Sequence, residues 1–450
     1  MTSKLEIFYQ KTPLWMQNLA ANVKGRLVAC RRYSRDFYVA LKELQSHESL
    51  TAFELEQLSI SRLKSALAFA LANSDFYRQR FHGFGLQHED WFEQFVNLPL
   101  LDKMQIREAS LIDGPLPGEW KVATTHTSGT TGQGLVFPCT QKQEQYTWAT
   151  WWRYRIRHGL SLNERCAVFG GRSVVPLSQH KPPYWRYSNA THQVFYSMYH
   201  LNCETVIDYL EHLQREKIRW IHGYPSVLAI LAGLLLDKGI KVSGVQWITT
   251  GAESLLEHQN DIISKAFGTF PIDHYGQAEG VANISMCKNR RYHIDEDYSF
   301  VELVPVMGRA GIFEIVGTNF YNNAYPLIRY RTGDLVKVGP PCDCGLAGRV
   351  VEDIDGRKEE GIRLSNGTIL SRLDHIFKDM TRVLEAQIIQ RSDLSIQLRI
   401  VKANDYTSED EYKLLSEVKM RIHLPVHIKY VAKLPRSSTG KLRFVIHEEF

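Results

Sequence analysis

The first part of the chain has the apolar spacing of amphipathic helices. Thr51 and Glu54 form the signature of a capping box, in which a hydroxyl and a carboxylate satisfy the first free N–H groups of a helix. Apolar side chains then recur at helical spacing at Leu63, Leu67, Ala70 and Leu71. We therefore predict that residues 1–110 are mainly helical.

From residue 122 to about residue 335, short apolar runs alternate with glycine-rich turns and amphipathic helices. The strands are predicted within CAVFGG, IRWIHGYPS, VQWITTGAES and IDHYGQAEG, and a helix within TVIDYLEHLQREK. Strands that alternate with helices predict an α/β fold, and functional loops in such folds lie at the strand ends.

A composition change follows this region and is typical of a domain boundary. The segment KVGPPCDCGLAGR leads into the charged, glycine-punctuated DIDGRKEEGIRLSNGT. The remaining residues, about 90, contain a strand pattern in SIQLRIV, a helix pattern in SEDEYKLLSEVKMRI and a basic loop, LPRSSTGKLRF. We predict a multidomain α/β protein with a large α/β domain over residues 1–355, built of packed sheets and helices, and a small α+β domain over residues 361–450, joined near Gly356.

Charge and composition exclude some function classes. Of 450 residues, 44% are hydrophobic and 23% are charged, which is too apolar for a disordered chain. The net charge of +5 is spread over the whole chain, and basic clusters such as Arg31-Arg32 are short. Because nucleic-acid binding needs a concentrated basic patch, we expect no nucleic-acid partner.

No segment has the length and composition of a membrane span. Apolar runs such as Ala229 to Leu236 fall well short of the roughly 20 residues that a span requires. The start, MTSKLEIFYQKTPLW, lacks the apolar stretch and small-residue cleavage site of a signal peptide. We expect a cytoplasmic protein that is a monomer or a homodimer.

The segment from Thr127 to Gly132, TSGTTG, has the composition of a phosphate-binding loop. Glycines let the backbone approach an anion and point N–H groups at it, and hydroxyls add further donors or a Mg²⁺ contact. It is not a Walker A loop, because no Lys-Ser or Lys-Thr pair follows. A flexible surface hairpin is the alternative for such a segment on its own.

Three further segments carry groups suited to the same ligand. Tyr275 could stack on a base, and Glu279, four residues later, could hold Mg²⁺. Asp334, within YRTGDL, could accept both ribose hydroxyls, and Lys441 lies on a glycine-containing turn in PRSSTGK. Each has an ordinary alternative, as a core tyrosine, an exposed turn aspartate or a solvated lysine.

In their order and spacing these segments resemble the adenylate-forming superfamily of acyl-CoA synthetases, adenylation domains and luciferases. TSGTTG is similar to its phosphate loop, YGQAE to its aromatic-to-glutamate motif and YRTGDL to its ribose motif. GRKEE is similar to its hinge, which places a hinge at residues 356–360, and PRSSTGK to its catalytic-lysine loop. The resemblance implies that the small domain is mobile.

Within the superfamily, the sequence most resembles the phenylacetate-coenzyme A ligase-like branch and its capsular polysaccharide (CapK-like) proteins. The supporting segments are TPLWMQNLA, LPLLDKMQIR, HGYPSVL, GAES, CDCG and LSNGTILSRL, together with the spacing of Cys287 and His293. Phenylacetate-CoA ligases usually have GAEPW and a RGVNVFP-like loop where this chain has GAESL and LSNGTIL. The second departure lies where thioester-forming members admit the pantetheine arm.

The resemblance implies a role for each matching residue. Lys441, Glu279 and Thr131 are the expected catalytic set: Lys441 bridges the attacking carboxylate and the α-phosphate, Glu279 binds Mg²⁺, and Thr131 assists the metal. The expected nucleotide-binding set is Ser128, Gly129, Thr130, Thr131, Gly132, Gly251, Ala252, Glu253, Tyr275, Gly276, Gln277, Asp334, Arg357 and Lys441. In that set Ser128 to Gly132 hold the β,γ-phosphates, Tyr275 stacks on adenine, and Asp334 grips the ribose with support from Arg357.

These roles imply a carboxylic acid ligase that uses ATP and Mg²⁺. An acid is activated to an acyl-adenylate with release of pyrophosphate, and the acyl group then passes to a thiol, with CoA as the leading acceptor. The alternatives are a carrier-protein thiol, an amine or a sugar. The branch suggests a role in bacterial surface polysaccharide biosynthesis.

The residues expected to contact the acid are His222, Gly223, Tyr224, Pro225, Gly251 and Ala278. A loop over residues 170–189 contains Arg172, His180, Trp185 and Arg186. This loop either recognises a polar or anionic acyl group or serves as a lid without specificity. We interpret Trp148, Trp151 and Trp152, at helical spacing, as core residues.

The seven cysteines are too few and too scattered for a disulfide framework. Cys287, His293, Cys342 and Cys344 supply three thiolates and an imidazole, the ligand set of tetrahedral Zn²⁺. The alternative is three reduced core cysteines and a surface histidine. With the branch resemblance, we predict a closed, structural zinc site that joins the loops after YGQAEG and YRTGDL.

Overall fold

The computed structural model describes most of the chain. The described residues are 8–9, 11–108, 116, 118, 122–126, 135–171, 173–307, 310–355, 361–365, 369–370, 373–377, 382–402, 406–435 and 444–448. Several predicted site residues lie outside them: Ser128, Gly129, Thr130, Thr131, Gly132, Arg172, Arg357 and Lys441, together with the hinge at 356–360.

Helices and strands follow one another as the apolar pattern predicted. The helices are α1 (Leu14–Arg32), α2 (Arg35–Ser46), α3 (Ala52–Asn73), α4 (Asp75–Arg80), α5 (Trp91–Phe95), α6 (Lys103–Glu108), α7 (Gln141–Arg157), α8 (Val206–Arg215), α9 (Pro225–Asp237), α10 (Glu257–Phe267) and α11 (Ser408–Lys419). The strands are β1 (Val122–His126), β2 (Val136–Thr140), β3 (Cys166–Gly170), β4 (Trp185–Ser188), β5 (Gln193–Ser197), β6 (Trp220–Gly223), β7 (Trp247–Thr250), β8 (Pro271–Ile272), β9 (His274–Gly276), β10 (Asn283–Met286), β11 (Tyr292–Ile294), β12 (Ser299–Pro305), β13 (Ile312–Asn319), β14 (Tyr330–Val338), β15 (Val350–Asp355), β16 (Ile362–Arg363), β17 (Ile369–Leu370), β18 (Val383–Gln390), β19 (Ile396–Lys402), β20 (Val426–Tyr430) and β21 (Val445–His447).

The helical start of the chain is confirmed, and helix α3 begins at the predicted capping box. Thr51 Oγ1 accepts the Glu54 backbone N–H at 3.2 Å, and Glu54 Oε2 accepts the Thr51 N–H at 2.8 Å. Leu63, Leu67 and Ala70 are buried on the inner face of this helix.

A six-stranded sheet in the order β4-β5-β3-β6-β7-β8 carries the α/β part of the fold. All its neighbouring pairs are parallel except β4 with β5. Residues alternate between its faces. Ala167 and Ile221 pack into a core with helices α8, α9 and α10, whereas Cys166 and Trp220 share the opposite core with Trp152 of α7. Helix α7 therefore covers one face of the sheet.

A second sheet continues the chain directly from the first, since β9 follows β8 after one residue. Its seven strands run in the order β12-β13-β14-β15-β11-β10-β9 and are antiparallel throughout. The YGQAE motif begins in β9 and continues into the loop after it. The YRTGDL motif forms the first part of strand β14. Strand β9 thus leads from the parallel sheet to the aromatic-to-glutamate motif.

The last part of the chain forms the predicted strand and helix. Strands β20-β19-β18-β21 make a four-stranded sheet in which β18 and β19 are antiparallel, and helix α11 buries Leu414 and Val418. The mixed sheets and helices confirm the multidomain α/β prediction. Among the helices that the structure describes, none is long and apolar enough to cross a membrane.

Candidate active site

Two hydrogen bonds join motifs that lie far apart in the sequence. Tyr275 Oη donates to Asp334 Oδ2 at 2.7 Å, and Tyr330 Oη donates to Glu279 Oε1 at 3.4 Å. Tyr275 belongs to β9 and Asp334 to β14, so the aromatic-to-glutamate motif and the ribose motif share one surface. Tyr330 was not among the predicted site residues, although it opens the YRTGDL motif.

Both phenols stay protonated in this arrangement. Burial raises the pKa of Tyr275 well above its usual value, and the nearby Asp334 carboxylate raises it further. Burial and Glu279 act in the same direction on the pKa of Tyr330. Each tyrosine is therefore a hydrogen-bond donor that orients a carboxylate.

The GAES turn after β7 adjoins these residues and is held in an unusual backbone conformation. Ala252 has φ of 67°, in the left-handed region that side chains rarely adopt. A Cβ on Gly251 would lie 2.6 Å from His274 Cε1, so only glycine fits there. Glu253 Oε2 accepts the backbone N–H of Ser226 at 3.1 Å, near the start of helix α9. The turn is thereby fixed against the HGYP segment, and a strained residue lies at its exposed tip.

Two histidines are fixed as neutral rings, the half-buried His222 on β6 of the parallel sheet and the buried His274 on β9 of the antiparallel sheet. The Nδ1–H of His222 donates to the Thr249 carbonyl at 3.1 Å, and that of His274 donates to the Thr250 carbonyl at 3.0 Å. Because a carbonyl only accepts, Nε2 of each ring is the unprotonated acceptor. Burial, and then the charge of Arg155, lower the pKa of both histidines to about 3.

A cavity of about 150 Å³ lies between helix α7 and the covered face of the parallel sheet. Its lining residues are Trp148, Trp151, Arg155, Cys166, Gln193, Trp220, His222, Tyr224, Gly251, Ala252, His274 and Gly276. This set brings together members of the predicted acid-binding and nucleotide-binding groups. Its walls are mainly aromatic, with few polar groups, as in many small-molecule sites.

Not every predicted acid-binding residue lines the cavity. Gly223, Pro225 and Ala278 are absent from the described lining. Gly223 instead allows close packing, since a Cβ there would lie 2.8 Å from the Phe169 carbonyl oxygen. Ala278 is exposed, and the neighbouring Gln277 is half-buried.

Helix α7 corrects one interpretation and supplies a residue that the sequence analysis missed. Trp152 is a core residue, but Trp148 and Trp151 are half-buried and line the cavity. Arg155 lines the cavity as well and is 3% exposed. The three cavity residues recur at i, i+3 and i+7, which places them on one helical face, but this spacing does not show that the face meets a cavity.

Trp185 and Arg186 belong to the loop that was expected either to recognise the acyl group or to serve as a lid, and their side chains point away from solvent. Both lie in β4 and are buried. Arg186 Nε donates to Gln17 Oε1 at 2.8 Å, and its Nη1 donates to the Pro183 carbonyl at 2.9 Å. Arg186 therefore ties the strand to helix α1, while His180 is exposed.

The predicted metal ligands converge on one point. The ligand atoms of Cys287, His293, Cys342 and Cys344 all lie within 4.8 Å of one another. Cys287 Sγ is 3.8 Å from Cys342 Sγ, and Cys344 Sγ is 3.3 Å from His293 Nε2. His293 Nδ1–H donates to the Gly348 carbonyl at 2.9 Å, which leaves Nε2 as the free lone pair on the side of the thiols.

The fold has solved counterparts among acyl-CoA ligases. A crystal structure of 2-hydroxyisobutyryl-CoA ligase with 2-HIB-AMP and CoA in the thioesterification state matches with a TM-score of 0.54, covering 89% of this chain and 91% of that chain at 18% identity. A structure of that ligase in the postadenylation state with 2-HIB-AMP matches with a TM-score of 0.52 and the same coverage, again at 18% identity. The chain therefore has the fold of an adenylate-forming ligase.

Sequence comparison adds relatives over most of the length. Protein CapK of Staphylococcus aureus is 27% identical over 98% of this chain and 99% of its own length. Residues 362–448 match the family described as the CapK C-terminal domain. Phenylacetate-coenzyme A ligases of Aromatoleum evansii and Escherichia coli (strain K12) are each 25% identical over 71% of this chain and 74% of their own length. The chain is thus a homologue of CapK and of the phenylacetate-CoA ligases, as its motifs predicted, and its fold is similar to that of adenylate-forming ligases.

Proposed function

We propose that this protein activates a carboxylic acid with ATP, forming an acyl-adenylate and pyrophosphate, and then passes the acyl group to the thiol of CoA. The observation that carries the proposal is the Tyr275–Asp334 hydrogen bond of 2.7 Å. This bond supports the proposal because it joins the two residues expected to contact adenine and ribose, next to a cavity that Gly251 and Gly276 line. A nucleotide and an acid bound at these positions would be neighbours.

The chain's own residues fit the demands of this reaction. Adenylation brings two anions together and spreads negative charge over phosphate oxygens, so it needs positioned cations and donors and no covalent catalysis. Asp334 would accept the ribose hydroxyls, oriented by the Tyr275 phenol. Glu279, 8% exposed and oriented by Tyr330, offers the hard carboxylate oxygens that Mg²⁺ prefers. Bound Mg²⁺ would neutralise phosphate charge.

We place Lys441 on a mobile domain over residues 361–450, with residues 1–355 as the large domain and residues 356–360 as the hinge. The match of residues 362–448 to a separate C-terminal family supports this boundary. A lysine on such a domain approaches for adenylation and withdraws for the second half-reaction. Arg357, in the hinge, would support the ribose.

The relatives that are named phenylacetate-coenzyme A ligase support CoA as the acceptor. A carrier-protein thiol, an amine or a sugar is the alternative, because the LSNGTIL segment differs from the usual loop of thioester-forming members. The similarity to CapK supports a role in bacterial surface polysaccharide biosynthesis. Since ATP and CoA are cytoplasmic metabolites, we place the reaction in the cytoplasm.

We also propose a structural zinc ion bound by Cys287, His293, Cys342 and Cys344. The donor set fits, because three thiols and an imidazole nitrogen with a free lone pair surround one point. Four protein ligands leave no open position for substrate. The ion would join the β10–β11 hairpin to the loop after β14.

Acid-dependent exchange of labelled pyrophosphate into ATP tests the adenylation step. We expect exchange with a panel of aryl, fatty, hydroxy and dicarboxylic acids to reveal at least one substrate, and Lys441→Ala to reduce it by about 100-fold. Lys433→Ala is the matched control, because Lys433 is an exposed lysine on the same segment. Exchange that is absent with every acid, or unchanged in Lys441→Ala, contradicts the proposal. Mass analysis of products formed with and without CoA identifies the acceptor.

A further inference from the structure

Arg155 is a buried cation that has no anionic partner among the residues that the structure describes. Its side chain is 3% exposed, and it forms no ion pair with any carboxylate of the described residues. The buried Nε atom has no hydrogen-bond acceptor within the described structure. The Tyr154 hydroxyl interacts with this arginine, but burial raises the phenol's pKa, so the hydroxyl is neutral and leaves the charge uncompensated. A buried charge normally has a counter-ion, since its desolvation costs several kcal/mol.

Aromatic rings around Arg155 offset part of the cost of burying its charge. The Arg155 guanidinium carbon lies 5.3 Å from the Trp220 ring centroid, 5.4 Å from that of Trp152 and 5.9 Å from that of Trp148. Such cation–π contacts are attractive, because the face of each ring carries negative charge. They hold the guanidinium in place against the cavity but leave its charge without a counter-ion.

No other group in the cavity carries a charge. The lining contains no aspartate or glutamate among the described residues. His222 and His274 are neutral because their pKa values are lowered to about 3. Burial raises the pKa of the Cys166 thiol, which is therefore neutral too. The interior of the cavity is thus positive solely through Arg155.

Arg155 lies at the end of the cavity that is remote from the nucleotide motifs. Its neighbours Cys166 and Trp220 begin strands β3 and β6, whereas Gly251 follows the carboxyl end of β7. These strands are parallel, and at about 3.3 Å per residue a strand of this length separates the two ends by roughly 10 Å. An acid whose reacting carboxylate meets ATP at the carboxyl ends therefore points the far end of its acyl group at Arg155.

We infer that the acid activated by this protein carries a second anionic group, a carboxylate that Arg155 binds at the end of the cavity remote from the nucleotide motifs. A guanidinium recognises a carboxylate through two parallel hydrogen bonds. A cavity of about 150 Å³ is the size that holds a benzene ring. The substrate class is therefore a short dicarboxylic acid of about four to six carbons, or a benzene ring bearing two carboxyl groups. This inference rests on the proposed function and names the substrate of the same site.

The test compares acids that differ only at the far end. In pyrophosphate exchange, glutaric acid is paired with pentanoic acid, adipic with hexanoic acid, and terephthalic with p-toluic acid. We expect the wild-type protein to have a kcat/KM about 100-fold higher for at least one diacid than for its partner, mainly through KM, since a site built for a charged group rejects the analogue that lacks it.

Variants show whether Arg155 causes the preference for a diacid. Arg155→Gln should remove the preference for the diacid while activity with the monoacid is kept or raised, and Arg155→Lys should retain part of the preference. Arg165→Gln is the control, because Arg165 is an exposed arginine that pairs with Glu216 outside the cavity. Thermal unfolding of each variant checks its folding.

The outcomes separate this inference from the proposed function. If the wild-type protein activates monoacids as well as or better than every diacid, the inference is wrong while the adenylation proposal stands, and this comparison needs no variant. The inference is also wrong if a folded Arg155→Gln variant keeps the wild-type preference for diacids. If no acid of either kind supports exchange, the proposed function itself fails.

Discussion

At the residue scale, Gly251 is the point where the nucleotide-binding and acid-binding groups meet. It lines the cavity, precedes the strained Ala252, and lies against the buried ring of His274. His274 is held in turn by the Thr250 carbonyl and the Tyr154 hydroxyl, each at 3.0 Å. The ring therefore has little freedom to move away from an added side chain.

We predict that Gly251→Ala destabilises the protein by about 1–3 kcal/mol, the cost of overpacking a tight site. The new methyl would lie 2.6 Å from His274 Cε1, so either the ring or the GAES turn must shift. The shift displaces Ala252 and should lower kcat/KM in pyrophosphate exchange. Urea unfolding and exchange kinetics measure the two effects.

The control is Gly233→Ala, in the middle of helix α9. There the added methyl meets only the flexible end of Ile262, at 3.3 Å. Alanine is favoured over glycine in a helix by about 1 kcal/mol, so stability should be unchanged or slightly higher. Equal effects of the two substitutions would contradict the argument from close contact.

The sequence predicted individual site residues better than their contacts. Tyr275 and Asp334 carry motifs that are recognisable alone, but their hydrogen bond joins positions 59 residues apart. Arg155 belongs to no motif. Its importance depends on which face of α7 meets the sheet and on the lack of a nearby carboxylate, and both are tertiary facts that residue spacing alone does not contain.

At the element scale, local signals predicted the helices and central strands well. The capping box starts α3, and the apolar runs became β3, β6 and β7. The sequence predicts a loop around Arg186. Strand β4 forms there because it pairs with β5 and because Arg186 bonds to Gln17, 169 residues away. Long-range pairing of this kind overrides local propensity.

A prediction at this scale concerns the four-residue Cys/His cluster. We expect the purified protein to contain about one zinc ion per chain by elemental analysis, and a strong chelator to remove it with a fall in the unfolding temperature. The physical reason is that the ion joins the β10–β11 hairpin to the loop after β14. Without the ion, only weaker contacts hold these two segments together.

The Cys342→Ser variant should lose most of the zinc and unfold at the same lowered temperature as the chelator-treated protein. Adding the chelator to this variant should then have no further effect. Cys203→Ser serves as the control, since Cys203 is an exposed free thiol outside the cluster. A protein free of zinc as purified from zinc-containing medium, or a Cys342→Ser variant with full zinc content, would show that the cluster is only a group of reduced thiols.

At the scale of the whole molecule, four buried or half-buried histidines make stability depend on pH. Burial lowers the pKa of His200 and His212 to about 4, and burial together with Arg155 lowers that of His222 and His274 to about 3. In the unfolded chain these rings titrate near pH 6.5. The unfolded state therefore binds protons first as the pH falls, so this stabilisation is complete above pH 6.5 and is lost on acidification.

The last prediction is that lowering the pH from 7 to 5 destabilises the protein strongly. At pH 5 each of the four histidines lowers the free energy of unfolding by about 2 kcal/mol. The sum is comparable to the total stability of an ordinary domain. Asp273 acts in the opposite direction, because burial raises its pKa to about 6, and it restores only about 1 kcal/mol over the same range.

Urea unfolding at the two pH values should show that His222→Gln reduces the loss of stability by about 2 kcal/mol. His82→Gln, at an exposed position, should leave the loss unchanged. A wild-type stability that is flat between pH 7 and 5 would mean that these rings are not held neutral, and the cavity would then contain positive charge besides that of Arg155.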